Sequence, residues 1–142
     1  MTAKVYELGT LKEYKFVVIL SEYQDKILLS RHKARNTWET QGGHIEKGER
    51  PIDAARRELF EESGAADFDL EPLCDYWAGD EKTGDGANGM VFKAVIHGLG
   101  NMPESEMAEI RTFDALPGNL TYPEITPVLF RHLFERRNRQ VG

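Results

Sequence analysis

The segment Gly43–Ala65, GHIEKGERPIDAARRELFEESGA, constrains this chain more than any other. At about 3.6 residues per turn, a helix through it holds Glu58, Glu61 and Glu62 within an arc of roughly 100°. Like charges at i,i+3 and i,i+4 oppose one another by a few tenths of a kcal/mol each. The three also crowd the helix end before Gly64, where the macrodipole disfavours anions. Stability alone would select Lys or Arg there. A solvated acidic face is one reading of the pattern. A seat for hard divalent cations, which take oxygen ligands, is the other.

The neighbouring residues define a compact unit. Pro51 suits the first helical turn, where its missing N–H costs nothing. Asp53 adds favourable charge at that end and stands four residues before Arg57, the spacing of an ion pair. Ile52, Ala55 and Leu59 form an apolar stripe suited to packing on a sheet, and Gly64 reads as a C′ glycine. Arg50 is a poor N-cap by type. Upstream, Gly42-Gly43 and Gly48 permit close backbone approach to a ligand. The pattern predicts a loop over Asn36–Gly48 and a helix over Pro51–Ser63.

Gly43, five residues, Glu49, seven residues, then Arg57-Glu58-Leu59-x-Glu61-Glu62-x-Gly64-Ala65 resembles the Nudix box at every defined position. Trp38-x-x-Gln41-Gly42-Gly43 and Ala54-Ala55 are similar to that family too, in its MutT-like branch. Two positions depart from the common pattern. Gln41 stands where many members have proline, and Arg50 where a Ser or Thr cap is common. The resemblance implies an α/β/α sandwich with a mixed β-sheet, as one Nudix hydrolase domain over residues 1–142. It implies that Glu58, Glu61 and Glu62, with the carbonyl of Gly42, bind Mg²⁺ or Mn²⁺, and that Glu49 and Arg57 steady the acidic turn. It further implies water attack on the pyrophosphate of a nucleoside diphosphate linked to another group. Mg²⁺ suits that chemistry, since it binds a few carboxylates together with substrate phosphates. A glutamate outside the box often assists in the family. Glu106 and Glu109 are the candidates, Glu109 ahead because it precedes an expected strand.

Composition narrows the function classes. The chain has 142 residues, 40% hydrophobic and 30% charged, ordinary values for one domain with a real core. Its longest apolar run, Phe16–Leu20, falls far short of the roughly 20 residues needed to span a bilayer. No apolar h-region opens the N-terminus, so a cytoplasmic setting without membrane contact is expected. The single cysteine, Cys74, reads as a reduced, partly buried thiol. A net charge of −6 argues against broad electrostatic binding to nucleic acid, so no stable nucleic-acid complex is expected. The small nucleotide that the resemblance implies as partner suits this charge only once metal is counted. Bound divalent ions would reverse the sign locally. The C-terminal ERRNRQ reads as a solvated helix end or a contact for an RNA 5′ end.

Strands are expected over Tyr14–Leu20, Lys26–His32, Asp69–Ala78, Gly89–His97 and Glu109–Phe113, and a last helix over Glu124–Asn138. GDEKTGDGANG reads as a mobile hairpin connection. No G-x-S-x-G, H-E-x-x-H or P-loop is present. Trp38, Tyr76 and Trp77 suit core packing or stacking on a base, and Trp38 borders the glycine loop. His44 in that loop could touch substrate or serve the surface, and Asn119 and Tyr122 could read a base edge or shape a turn. The expected substrate is a nucleoside triphosphate, oxidised or not, cleaved to monophosphate and pyrophosphate. ADP-ribose, dinucleoside polyphosphates, nucleotide sugars and RNA 5′ ends are the alternatives. Isoprenoid diphosphate isomerisation lacks its cysteine and carboxylate arrangement here, whereas a non-catalytic nucleotide sensor and a homodimer both stay open.

Overall fold

At the centre of the sheet, strand β2 (Phe16–Tyr23) runs parallel to β7 (Gly86–Leu99), while the other strand–strand pairings among the described residues are antiparallel. A strand covered on both faces carries a continuous apolar run, which explains Phe16–Leu20. Val17 and Ile19 face one core, and Val18 and Leu20 the other. The computed structural model describes residues 1–141, with side-chain surroundings through Arg139. Gly142, the last residue of the expected domain, and the side chain of Gln140 in the basic cluster lie outside the described residues.

The remaining strands are β1 (Thr2–Tyr6), β3 (Lys26–His32), β4 (Trp38–Glu39), β5 (Gln41–His44), β6 (Ala65–Gly79) and β8 (Met107–Phe113). The sheet order is β1-β6-β7-β2-β3-β4, with β5 added to β2 and β8 to β3. Helix α1 (Pro51–Ser63) lays Ala54, Ala55 and Leu59 against Val17, Ile19, Leu28 and Phe92. Helix α2 (Thr126–Val141) lays Leu129, Phe130 and Leu133 against Leu20, Leu29 and Val91. The expected α/β/α sandwich with a mixed sheet is the fold observed. None of the described helices is long and apolar enough to cross a membrane.

Three features depart from the expectation. Asn36–Gly48 contains β4 and β5, because β2 and β3 pair only over Ser21–Tyr23 and then separate. The freed edge of β2 takes Gln41–His44, and that of β3 takes Trp38–Glu39. The first strand, Thr2–Tyr6, has little alternation of its own and is recruited by the far half of β6, Thr2 opposite Gly79. The β6–β7 hairpin extends past the expected strands, leaving a tip of Asp80–Asp85. A register shift between Pro72 and Cys74 admits the proline, whose ring removes a ladder donor.

Candidate active site

Sequence and packing agree on α1. Pro51 begins it, and Gly64 ends it at φ +78° with its N–H bonded to Phe60 O at 2.8 Å. Arg50, at the N-cap, makes no side-chain cap; instead its guanidinium grips Asp53 at 2.8 Å, and the expected Asp53–Arg57 pair is absent among the described residues. Arg57 turns to the other side. Its Nε and Nη2 donate to the two oxygens of Glu49, both at 2.9 Å, the bidentate geometry at which Arg–carboxylate pairs are strongest. Its Nη1 donates to Glu58 at 2.6 Å and lies 3.6 Å from Glu61, and its Nη2 reaches the His44 carbonyl at 3.2 Å. One guanidinium thus ties glycine loop, box start and acidic turn together.

The two loop glycines are required by close approach. A Cβ on Gly42, at φ +156°, would collide with the carbonyl of Val17 across the β2–β5 pairing. A Cβ on Gly43 would come within 2.8 Å of the Glu58 carboxylate. With both bare, the Gly42 N–H donates to Glu62 Oε1 at 2.7 Å.

The charges here differ in their comfort. Arg57 holds the Glu49 carboxyl down at about 2. Burial pushes Glu58 upward against the pull of Arg57. Glu62, only 9% exposed, is pushed by burial up to about 8; the Gly42 N–H opposes the shift, and Glu58, Glu39 and Glu106 add to it. A carboxylate this buried and flanked by acids wants a cation, and oxygen donors suit hard divalent ions. As placed, no three acidic, histidine or cysteine side chains among the described residues converge into a ready metal cage. The reason is visible: Arg57 draws Glu58 and Glu49 onto itself and supplies one positive charge where the turn holds several negative ones.

Gln41, the residue at the common proline position, is fully buried. It accepts from Ser21 Oγ at 2.6 Å and donates to Ser30 Oγ at 2.9 Å and to the Leu28 carbonyl at 3.3 Å. Ser30 Oγ in turn donates to the Glu62 carbonyl at 2.9 Å. The departure at position 41 is therefore matched by two buried serines, and the chain of bonds ends on the acidic turn.

Outside the box the expected residues separate. Glu109 lies on β8 with its oxygens 3.1 Å from Arg31 and 3.0 Å from Arg111, which hold its carboxyl below the usual range. Glu106 is exposed, 3.6 Å from His32 Nε2, and its charge bears on Glu62. The preference for Glu109 is thus not supported by placement, because both its oxygens serve arginines. Trp38 is 5% exposed, edge-on to Phe113 at 5.2 Å, which leaves its ring no free face for a base. His44 is exposed at the rim with its ring 4.7 Å from Phe16. Asn119 shapes the turn: its Nδ2 donates to the Asn36 carbonyl at 3.0 Å, and its own carbonyl accepts the Trp38 N–H at 3.0 Å. Tyr76 is core, and burial lifts the enclosed Cys74 thiol to about 12. Glu39 is the residue the sequence reading missed. It is buried, bonded to Arg35 and Thr121 at 3.0 Å each, and its charge bears on Glu62. Its only sequence signal was its place between Trp38 and the glycine loop.

The family profile described as NUDIX domain matches residues 12–128. An RNA pyrophosphohydrolase of Bartonella henselae is 42% identical over 83 residues, covering 51% of this chain and 48% of that protein. One of Francisella philomiragia is 35% identical over 56 residues, covering 39% of this chain and 36% of that protein. The matched stretches thus span less than half the length of either relative. A solved pyrophosphohydrolase of Bacillus subtilis superposes with a TM-score of 0.76 at 24% identity, over 94% of this chain and 90% of that one.

Proposed function

We propose, because this chain belongs to the NUDIX domain family, that it hydrolyses a 5′-triphosphate and releases pyrophosphate, with a triphosphorylated RNA end as its substrate. The observation that carries the reading is the buried Glu62 carboxylate, pinned by the Gly42 N–H and ringed by Glu58, Glu39 and Glu106. Such a site accepts cations and, through them, polyphosphate. Nudix hydrolases generally use divalent metals, and Glu58, Glu61 and Glu62 with the Gly42 carbonyl are the residues that would hold Mg²⁺ or Mn²⁺ here. The chemistry a divalent ion supplies is positive charge over the phosphates and a more acidic attacking water.

The chain's own residues supply the rest. Arg57 and Glu49 orient the acidic turn by their bidentate pair. Gly42 and Gly43 bring the loop backbone against the carboxylates without a side chain between. Glu106, exposed and with a charge that acts on Glu62, is assigned to accept the proton of the attacking water, because both oxygens of Glu109 serve arginines. The names of the curated relatives favour an RNA end as the carrier of the triphosphate. A free nucleoside triphosphate is the second reading, since a chain of net charge −6 offers little broad electrostatic attraction to an RNA backbone. Both are tested by pyrophosphate release under Mg²⁺ from triphosphorylated RNA and from a nucleotide panel. Faster turnover of RNA ends is expected, and no release from any triphosphate would overturn the reading.

A further inference from the structure

Arg111 lies with its guanidinium over the indole of Trp38, 4.9 Å from the ring centroid. Its Nη2 donates to Glu109 at 3.0 Å, and the other oxygen of Glu109 accepts from Arg31 Nε at 3.1 Å. Arg31 Nη1 donates to the Arg35 carbonyl at 3.1 Å, and Arg35 Nη1 binds Glu39. A continuous row therefore runs from Glu39, whose charge reaches Glu62, out to Arg111. The row holds three arginines and two glutamates on a chain of net charge −6. Its strands are in fixed register, Arg31 opposite Glu109 and Leu29 opposite Arg111.

Trp38 supports the guanidinium from below and Glu109 fixes it from the side, yet the Arg111 side chain is 57% exposed. A long side chain held at the surface by two partners has given up much of its freedom before any ligand arrives. What it presents outward is a planar cation with donors at its edge. Trp38 stands four residues before Gly42, a reach of at most about 14 Å along the backbone. A span no longer than that lies within the reach of a nucleotide with its phosphates at the acidic turn.

We propose that the outward face of Arg111 is a stacking platform for a nucleobase of the substrate, with Trp38 as its support and Glu109 as its positioning residue. This inference rests on the triphosphate reading above for the placement of the phosphates. Arginine planes stack on aromatic rings and recognise bases in single strands without demanding one sequence. The stacking role that Trp38 cannot fill is thus taken by the residue that covers it.

The test compares wild type with Arg111→Ala and Arg111→Lys, the second of which keeps the charge and loses the plane. Pyrophosphate release is measured from a triphosphorylated dinucleotide and from ATP, with inorganic tripolyphosphate as a base-free inhibitor. Both variants should raise KM for at least one base-bearing substrate by about tenfold, with kcat within about twofold and tripolyphosphate inhibition unchanged. Full rescue by lysine, unaltered KM for both substrates, or an equal loss of tripolyphosphate affinity would overturn the platform. Calorimetric titration with GMP separates the two proposals. Weaker GMP binding by the variants, in a protein that cleaves no triphosphate, supports the platform and overturns the triphosphate reading.

Discussion

Two acid-rich stretches follow one another in this chain and have opposite fates. On β6, Asp67, Asp69 and Glu71 all stand in solvent on a strand whose first half has no neighbour beyond β7. Charges on such an edge discourage pairing with other chains, and water solvates them. On α1, Glu58 is partly buried, and Glu62 is buried with three other acids acting on it. Equal numbers of carboxylates thus cost little in one place and much in the other. Acid content does not mark a site; acid that has lost its water without gaining a full cation does.

The sharpest way to break that contrast is to neutralise acids in both places. Glu61→Gln or Glu62→Gln should lower pyrophosphate release by at least about a hundredfold while circular dichroism stays native. Asp69→Asn and Glu71→Gln should leave the rate unchanged. A similar loss from both pairs would erase the distinction. Next in size, Gly43→Ala should displace the Glu58 carboxylate it would approach to 2.8 Å. Arg57→Ala should loosen the same turn, each costing roughly 10–100-fold in rate, as outer supports of metal ligands do. Normal kinetics in either variant would remove Arg57 and the glycine loop from the machinery.

Stability should show the conflict directly. Glu62 has a folded pKa of about 8 against an ordinary 4.5, so the folded state holds a proton that the unfolded state has released between those values. Its contribution is full below about pH 4.5 and declines as pH rises toward about 8. Denaturation in chelator from pH 5 to 8 should follow that slope in wild type, and Glu62→Gln should flatten it. An unchanged slope would mean that Glu62 does not titrate between those values and that burial does not raise its carboxyl. The smallest effect belongs to the buried relay. Gln41→Leu strips partners from Ser21 and Ser30 and should lower stability by about 1–3 kcal/mol, read from urea midpoints.

How much of this was legible depended on the range of the interactions. Helix α1 was readable from Pro51 to Gly64 because its proline start, apolar stripe and glycine end are local. Strands β2 and β3 were readable from their apolar runs, although β2 continues to Tyr23 and the turn tightens to Gln24 and Asp25, both at positive φ. Strands β4 and β5 were not, since the backbone partners that make them strands lie on β3 and β2. The last helix begins at Thr126 rather than Glu124, after a turn in which Ile125 N–H bonds to Tyr122 O. On α1, the common arc of Glu58, Glu61 and Glu62 followed from spacing alone. The surroundings of Glu109 did not, because the β3–β8 register sets it opposite Arg31 while Arg111, two residues along its own strand, takes its other oxygen.

The sequence by itself determined the acidic arc on α1, the glycine loop ahead of it and the family to which the chain belongs. These are short-range patterns, written in residue types at fixed intervals along one stretch of backbone. Only the tertiary structure decided which acids lose their water, that Arg57 leaves Asp53 for Glu49 and Glu58, and that Trp38 lies beneath Arg111. Those outcomes depend on burial and on partners brought together from distant strands. Burial and cross-strand contact are properties of the packed sheet, and no interval along the chain encodes them.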